Sequence, residues 1–288
     1  MSPRRAFSLV ELLVVIAIVS AMAAVLFPVF SQAKMQAFQI SWIESARQIS
    51  LGTALYTDDY DQRYFLPRHN PEPRADATND RTWVQSLLPY ANNFELFFCP
   101  VDDSAPKPVS VFDPDLTAGN PLARYYEKSM RANYGYNYAY FSPIFKQAGQ
   151  WVVTPRSQSD VADPSRTMLF GDSAWQVRGG RPSGGGSYLV IPPCRFQREG
   201  GQLTDSFGLQ SAPNTQVFGN GLAWQAKAAV WESDAGAIYP WFHGMVTVTH
   251  ADGHVKPLPY SRMTNGCDVQ PGWRGLIYDT GRYLWDLR

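Results

Sequence analysis

From Phe7 to Phe30 the chain is a nearly unbroken apolar run, "FSLVELLVVIAIVSAMAAVLFPVF", in which Glu11 is the sole charged side chain. Its 24 residues, taken as a helix, are enough to cross roughly 30 Å of hydrocarbon. Beyond it Met35, Phe38, Trp42, Ala46 and Ile49 recur at steps of three and four, with Gln, Ser, Glu44 and Arg47 between them. That period predicts an amphipathic continuation able to lay one face on a globular body. Asp58, Asp59 and Asp61 crowd around Tyr60, and short acidic side chains compete for backbone hydrogen bonds, so the helix should end there. Phe7 to Thr57 as one helix would run roughly 75 Å at about 1.5 Å per residue. Pro28 removes the bond to the Ala24 carbonyl and should bend or locally melt it. The pattern therefore divides the chain into a helix over 7–58, membrane-spanning over about 7–30, and a body over 59–288.

After Asp61 the period shortens. Trp83 to Tyr90, "WVQSLLPY", reads as a short helix stopped by Pro89. Strands are predicted at 151–154, 167–170, 188–191 and near 228–231. The "GGRPSGGG" stretch over 179–186 reads as an exposed flexible loop without phosphate-loop spacing, since no G-K-[ST] comes after it. The clearest element is "GMVTVTHADGHVKPLPY", Gly244 to Tyr260. Asp252-Gly253 between two β-prone runs predicts a hairpin with a two-residue type I′ turn. That register pairs Ala251 with His254 and His250 with Val255. It places Val246, Val248, His250 and Val255 on one face and Thr247, Thr249, His254 and Lys256 on the other.

Composition adds a body with a real core and little else. Apolar residues make up 45% of the 288, charges balance at 25 basic against 25 acidic, and 22 Gly with 22 Pro point to a loop-rich, partly β head. No basic run comes after Lys34, so no nucleic-acid partner is expected. Cys99, Cys194 and Cys267 fit no C-x-x-C spacing. One disulfide with a thiol left over, in an oxidising compartment, and three buried thiols acting as small apolar residues are both open.

Three readings compete for the N-terminus. A cleaved secretory signal would use Ala21-Met22-Ala23, and a plain anchor would be held N-terminus inside by Arg4 and Arg5. Both leave Glu11 as a cost of about 2.5–3.5 kcal/mol at mid-bilayer, less near the interface. The third reading accounts for the acid. "RRAFSLVEL", Arg4 to Leu12, resembles the cleavage motif of type IV prepilins and of the pseudopilins of type II secretion. The resemblance implies a leader over 1–6, cut by a prepilin peptidase between Ala6 and Phe7, and methylation of the new Phe7 amino group. It implies that Glu11 then meets the N-terminal ammonium of a neighbouring subunit, two charges tolerable together in an apolar filament core. The family has Gly where this chain has Ala6. Partners so implied are the peptidase, neighbouring pilin-like subunits and an inner-membrane assembly platform, with the head extracytoplasmic.

A second resemblance covers most of the chain. "WVQSLLPYANNFELFFCP", "NYGYNYAY", "DPSRTMLFGDS" and "HADGHVK" are similar to a large bacterial family of prepilin-like proteins that ends in His, nine residues, then Asp-Gly. Here eight residues separate His243 from Asp252-Gly253.

For chemistry, His243, His250, His254 and Asp252 invite a metal or hydrolase site, but the predicted register sends His250 and His254 to opposite faces. "DPDLTAGNPLAR" from Asp113 starts like a calcium loop, yet lacks Gly at the sixth position and ends on Arg124 instead of Glu. Some pseudopilins hold calcium in the head, so the resemblance keeps Asp102, Asp103, Asp113 and Asp115 as the alternative to no cofactor. No G-x-S-x-G, H-E-x-x-H or catalytic carboxylate pair stands out, and no catalytic residue is assigned. The expectation is an α+β, pilin-like, non-enzymatic filament subunit with a long N-terminal helix on a β-rich antiparallel head. The alternative is a membrane-anchored envelope protein whose head binds or processes a ligand, which His, Asp and Trp side chains converging in one head pocket would favour.

Overall fold

The computed structural model describes residues 8–70, 80–104, 123–178, 180–209, 215–218, 237–270 and 275–288. The chain falls into two units, Met1–Ser41 and Trp42–Arg288. Helix α1, Leu9–Asp59, is unbroken through Pro28, so the local melting expected at the proline does not occur. Asp61 and Gln62 at φ 51° and 60° turn the chain away after it.

In the second unit Trp42, Ala46, Ile49, Thr53 and Tyr56 are buried, an i, i+4, i+7 stripe that extends the predicted one by two turns. Tyr56 meets Phe65 and Tyr90, while Trp42 packs on a four-stranded antiparallel sheet. Its strands are β1 (Tyr134–Tyr136), β4 (Met168–Asp172), β9 (Met245–His250) and β10 (Val255–Pro259), in the order β1-β4-β9-β10. β2 (Ile144–Gln147) with β3 (Gln150–Val153), and β5 (Gln176–Arg178) with β6 (Arg181–Ser183), form two hairpins. β7 (Phe196–Glu199) lies between β8 (Gln202–Asp205) and β11 (Leu276–Ile277). Three of the four segments that carry the second resemblance meet in one aromatic core: Trp83 and Phe170 lie 4.7 Å apart, Tyr136 and Phe170 5.7 Å, and Trp83 and Phe97 5.7 Å.

Several expectations need correction. The short helix α2, Trp83–Ala91, carries Pro89 inside it and ends at Asn92, left-handed at φ 51°. The 188–191 segment is no strand: Tyr188 O and Val190 N both bond Tyr136, leaving one isolated bridge at Leu189. The 179–186 stretch is not an exposed loop, because β6 lies within it and Gly185 and Gly186 are buried. A Cβ at Gly186 would sit 2.1 Å from the Ala132 carbonyl oxygen, so only glycine admits that approach. Cys194 and Cys267 form a disulfide with Cα atoms 6.1 Å apart, while Cys99 is free and buried. The strand near 228–231 and the calcium-like stretch after Asp113 lie outside the described residues.

The hairpin forms, but its register differs. Val255 pairs Thr249 and Lys256 pairs Val248, so His250 faces His254 across a three-residue loop, Ala251-Asp252-Gly253. Three contacts fix this loop: Ser50 donates to Gly253 O at 2.9 Å, and the Ala251 and Asp252 N–H groups donate to Thr167 O and Pro164 O. Pro257 and Pro259 sit on the edge strand, where a missing donor is tolerated. Gly253 takes φ 95°, and a Cβ there would lie 3.0 Å from Ser50 Oγ. Gly253→Val should therefore destabilise the head by about 1–3 kcal/mol, read as a lower unfolding midpoint; an unchanged midpoint would count against this turn.

Asp172 joins helix to sheet. Fully buried, it accepts the Trp42 Nε1–H at 2.7 Å and the Thr247 N–H at 2.6 Å, and Trp42 stacks on Tyr134 at 4.0 Å. Burial pushes its carboxyl up from 3.8 to about 7, and does the same to Asp286. A raised acid stabilises the fold in its protonated form, so this contribution fades as pH rises toward 7 and beyond. His250, lowered by burial to about 4, works in the opposite sense but is complete by about pH 6.5. Between pH 6.5 and 8 unfolding free energy should fall by on the order of 1 kcal/mol for each acid, and the fall should be smaller in Asp172→Asn. Stability that rises across this window in denaturant titrations would contradict the assignment.

Candidate functional site

Ala6 and Phe7 lie outside the described residues, which begin at Ser8. Ser8 Oγ accepts the Val10 N–H at 3.3 Å, and Glu11 Oε2 accepts the Ser8 N–H at 2.9 Å. Ser8 thus caps α1 through the second helical residue, and Glu11, the third, reaches back to the Ser8 N–H as in one half of a capping box, together satisfying donors the helix cannot. The S-x-x-E spacing before an apolar run is its signal in the sequence, a signal masked by the stronger pull of the charge itself. Within one chain, then, Glu11 has a local role that needs no membrane and no partner.

The apolar helix beyond Glu11 does need one or the other. Every Leu, Val, Ile, Met and Phe from Leu9 to Phe30 is at least 50% exposed, around the whole circumference of the helix. A helix apolar on all sides requires hydrocarbon or other apolar surfaces. The segment is long and apolar enough to cross a membrane and lies near the N-terminus, compatible with single-pass anchoring.

In the head the histidines regroup. His250 and His254 share a face with rings 3.9 Å apart and 9° from parallel, which overturns the opposite-face expectation. His254 Nδ1 bonds Asp252 at 2.7 Å. A shared ion would have to lie in both ring planes, and parallel stacked rings offer no such point. His243, exposed at φ 51°, is not part of this pair. Asp102 is engaged by Ser104 and Asn133. Among the described residues no group of three or more His, Cys, Asp or Glu side chains is placed to hold a metal ion. His250 and Asp252 do line one groove with Tyr64, and no Trp lines it.

Residues 1–27 match the family model of the prokaryotic N-terminal methylation motif. Together with the apolar helix and the antiparallel head, the match supports a prepilin-like protein with an α+β, pilin-like architecture. It does not extend to the His…Asp-Gly pattern near the C-terminus. No curated protein and no solved structure matches the chain.

Proposed function

We propose that this protein is a structural subunit of a type IV pilus-like or type II secretion pseudopilus filament. A prepilin peptidase removes residues 1–6, methylates Phe7 and releases a subunit held in the inner membrane by α1, with its head extracytoplasmic. An assembly platform then moves the apolar helix from lipid into a filament core, where Glu11 pairs with the ammonium of a neighbour's Phe7. The observation that carries this reading is the methylation-motif match over residues 1–27, on a helix whose apolar surface is open on every side. The same motif favours a structural role over an enzymatic one.

Mass spectrometry of the mature N-terminus tests the first step. The expected species starts at a methylated Phe7. A chain starting at Ala24 would indicate ordinary signal-peptidase processing and end the filament reading, because Glu11 would be lost with the leader. Sheared surface filaments containing this subunit would support the second step.

A further inference from the structure

The groove between the second half of α1 and the hairpin tip has a volume of about 530 Å³, within the range of small-molecule sites. Its outer rim is Arg47 and Leu51; its inner end is formed by Leu169, Tyr64 and His250, which are 2%, 4% and 4% exposed. Most polar groups along it are committed to the fold. Ser50 Oγ donates to Gly253 O, Thr53 Oγ1 to Ile49 O, and Gln158 Nε2 to Thr57 Oγ1. Two groups are not. Among the described residues the Tyr64 hydroxyl has no protein hydrogen bond, and the His250 ring has only a polar contact with the His254 backbone; its Nδ1 is sealed inside protein, which leaves Nε2 as the nitrogen that can serve the groove. The ring is held in place by its stack on His254. The Tyr64 hydroxyl and His250 Nε2 are therefore the groups whose hydrogen-bonding capacity a ligand in the groove can take up.

We propose that this groove binds a small uncharged organic molecule, its apolar part against Leu169 and Pro164 and a polar group shared by the Tyr64 hydroxyl and His250 Nε2. An uncharged ligand is implied by the inner end: Tyr64 is a neutral phenol, burial keeps His250 neutral at pH 7, and an ion placed there would be left unpaired. Asp252 and Arg47 are occupied at the rim, by His254 and Glu44. The proposal does not depend on filament assembly.

Benzamide is a suitable probe, since it joins an apolar ring to a donor and an acceptor, and benzoate is its charged counterpart. The full chain with 13C-labelled histidines, in lipid nanodiscs at pH 7, would be titrated with each, and with empty nanodiscs as the blank for partitioning. Benzamide should shift the His250 ring signal saturably, with Kd on the order of 10 mM, and leave His69 unmoved. Tyr64→Phe, which deletes only the hydroxyl, should weaken binding about three- to tenfold with the ligand-free spectrum preserved. His250→Gln identifies the signal. Absence of a saturable His250 shift, equal affinity in Tyr64→Phe, or benzoate binding as tightly as benzamide would each overturn the proposal.

Discussion

Cells producing only Glu11→Leu subunits are expected to process the protein, retain it in the inner membrane and make no filaments. Leucine eases insertion, yet in the proposed filament it would strand the Phe7 ammonium of a neighbour in an apolar core. Losing one partner of a buried ion pair costs about 3–5 kcal/mol, and in such a filament the loss would recur at every subunit contact. The bond from the Ser8 N–H to Glu11 adds a complication that a second variant resolves. Glutamine accepts the Ser8 N–H as glutamate does, so Glu11→Gln keeps the helix start observed at 2.9 Å and removes only the charge. If pairing with the ammonium is the reason for the acid, Glu11→Gln should also abolish filaments. Filaments from Glu11→Gln subunits, absent in Glu11→Leu, would mean that Glu11 matters as a cap alone. Electron microscopy of sheared surface material, with immunoblots of membrane fractions, separates these outcomes.

Asp80→Ala should cost the head about 3–5 kcal/mol, because it leaves the Arg68 guanidinium buried without its counter-charge. Arg68 Nε and Nη2 donate to Asp80 Oδ2 at 2.8 and 2.5 Å, and the Tyr126 hydroxyl donates to the same oxygen at 2.9 Å. Both partners of the pair are essentially inaccessible, with side chains 6% and 0% exposed, so solvent does not screen it. The other oxygen accepts the backbone N–H groups of Asn70 and Arg81 at 2.9 and 2.8 Å, fastening the chain on either side of residues 71–79. Asp80→Asn preserves an acceptor for those donors while deleting the charge, and should fall between wild type and alanine. Equilibrium denaturation of the three proteins tests the order. A loss below about 1 kcal/mol in Asp80→Ala would show that the pair contributes no more than a surface salt bridge.

How far the sequence carried depended on whether a signal was local. Helix α1 was legible nearly to the residue, because its apolar run, its three- and four-residue stripe and its acidic stop all lie within the segment itself. β3 and β4 were found from β-branched and aromatic runs. The hairpin was found, but its register slipped by one residue, and a one-residue slip exchanges faces along a strand. The register is fixed by Ser50, Thr167 and Pro164 holding the loop backbone, partners remote in sequence. Tyr188–Ile191 has strand-like composition but meets β1 only at Tyr136, its other backbone bonds going to Met130, Trp83 and Ser187. The inner end of the groove was also out of reach. Tyr64, Leu169 and His250 come from three separate elements, and nothing in their local sequence announces that they meet. Asp172 left a faint trace: an acid closing the apolar run "MLFGD" asks for donors, and Trp42 and Thr247 supply them.

Those donors also impose an order of events. Trp42 reaches Asp172 across 130 residues of chain, and Ser50 reaches Gly253 across 203. When α1 leaves the ribosome, the strands that will cover its second half have not yet been synthesised. The stripe is therefore covered in stages: Tyr56 by Phe65 and Tyr90, Trp42 by Tyr134 and Asp172, and the Ser50 side only when the loop after β9 arrives. Long-range strand pairing of this kind is slow and leaves sticky intermediates exposed meanwhile. A chain cut short before Met245 would lack the last of these contacts and keep that face of the helix open to whatever apolar surface it meets.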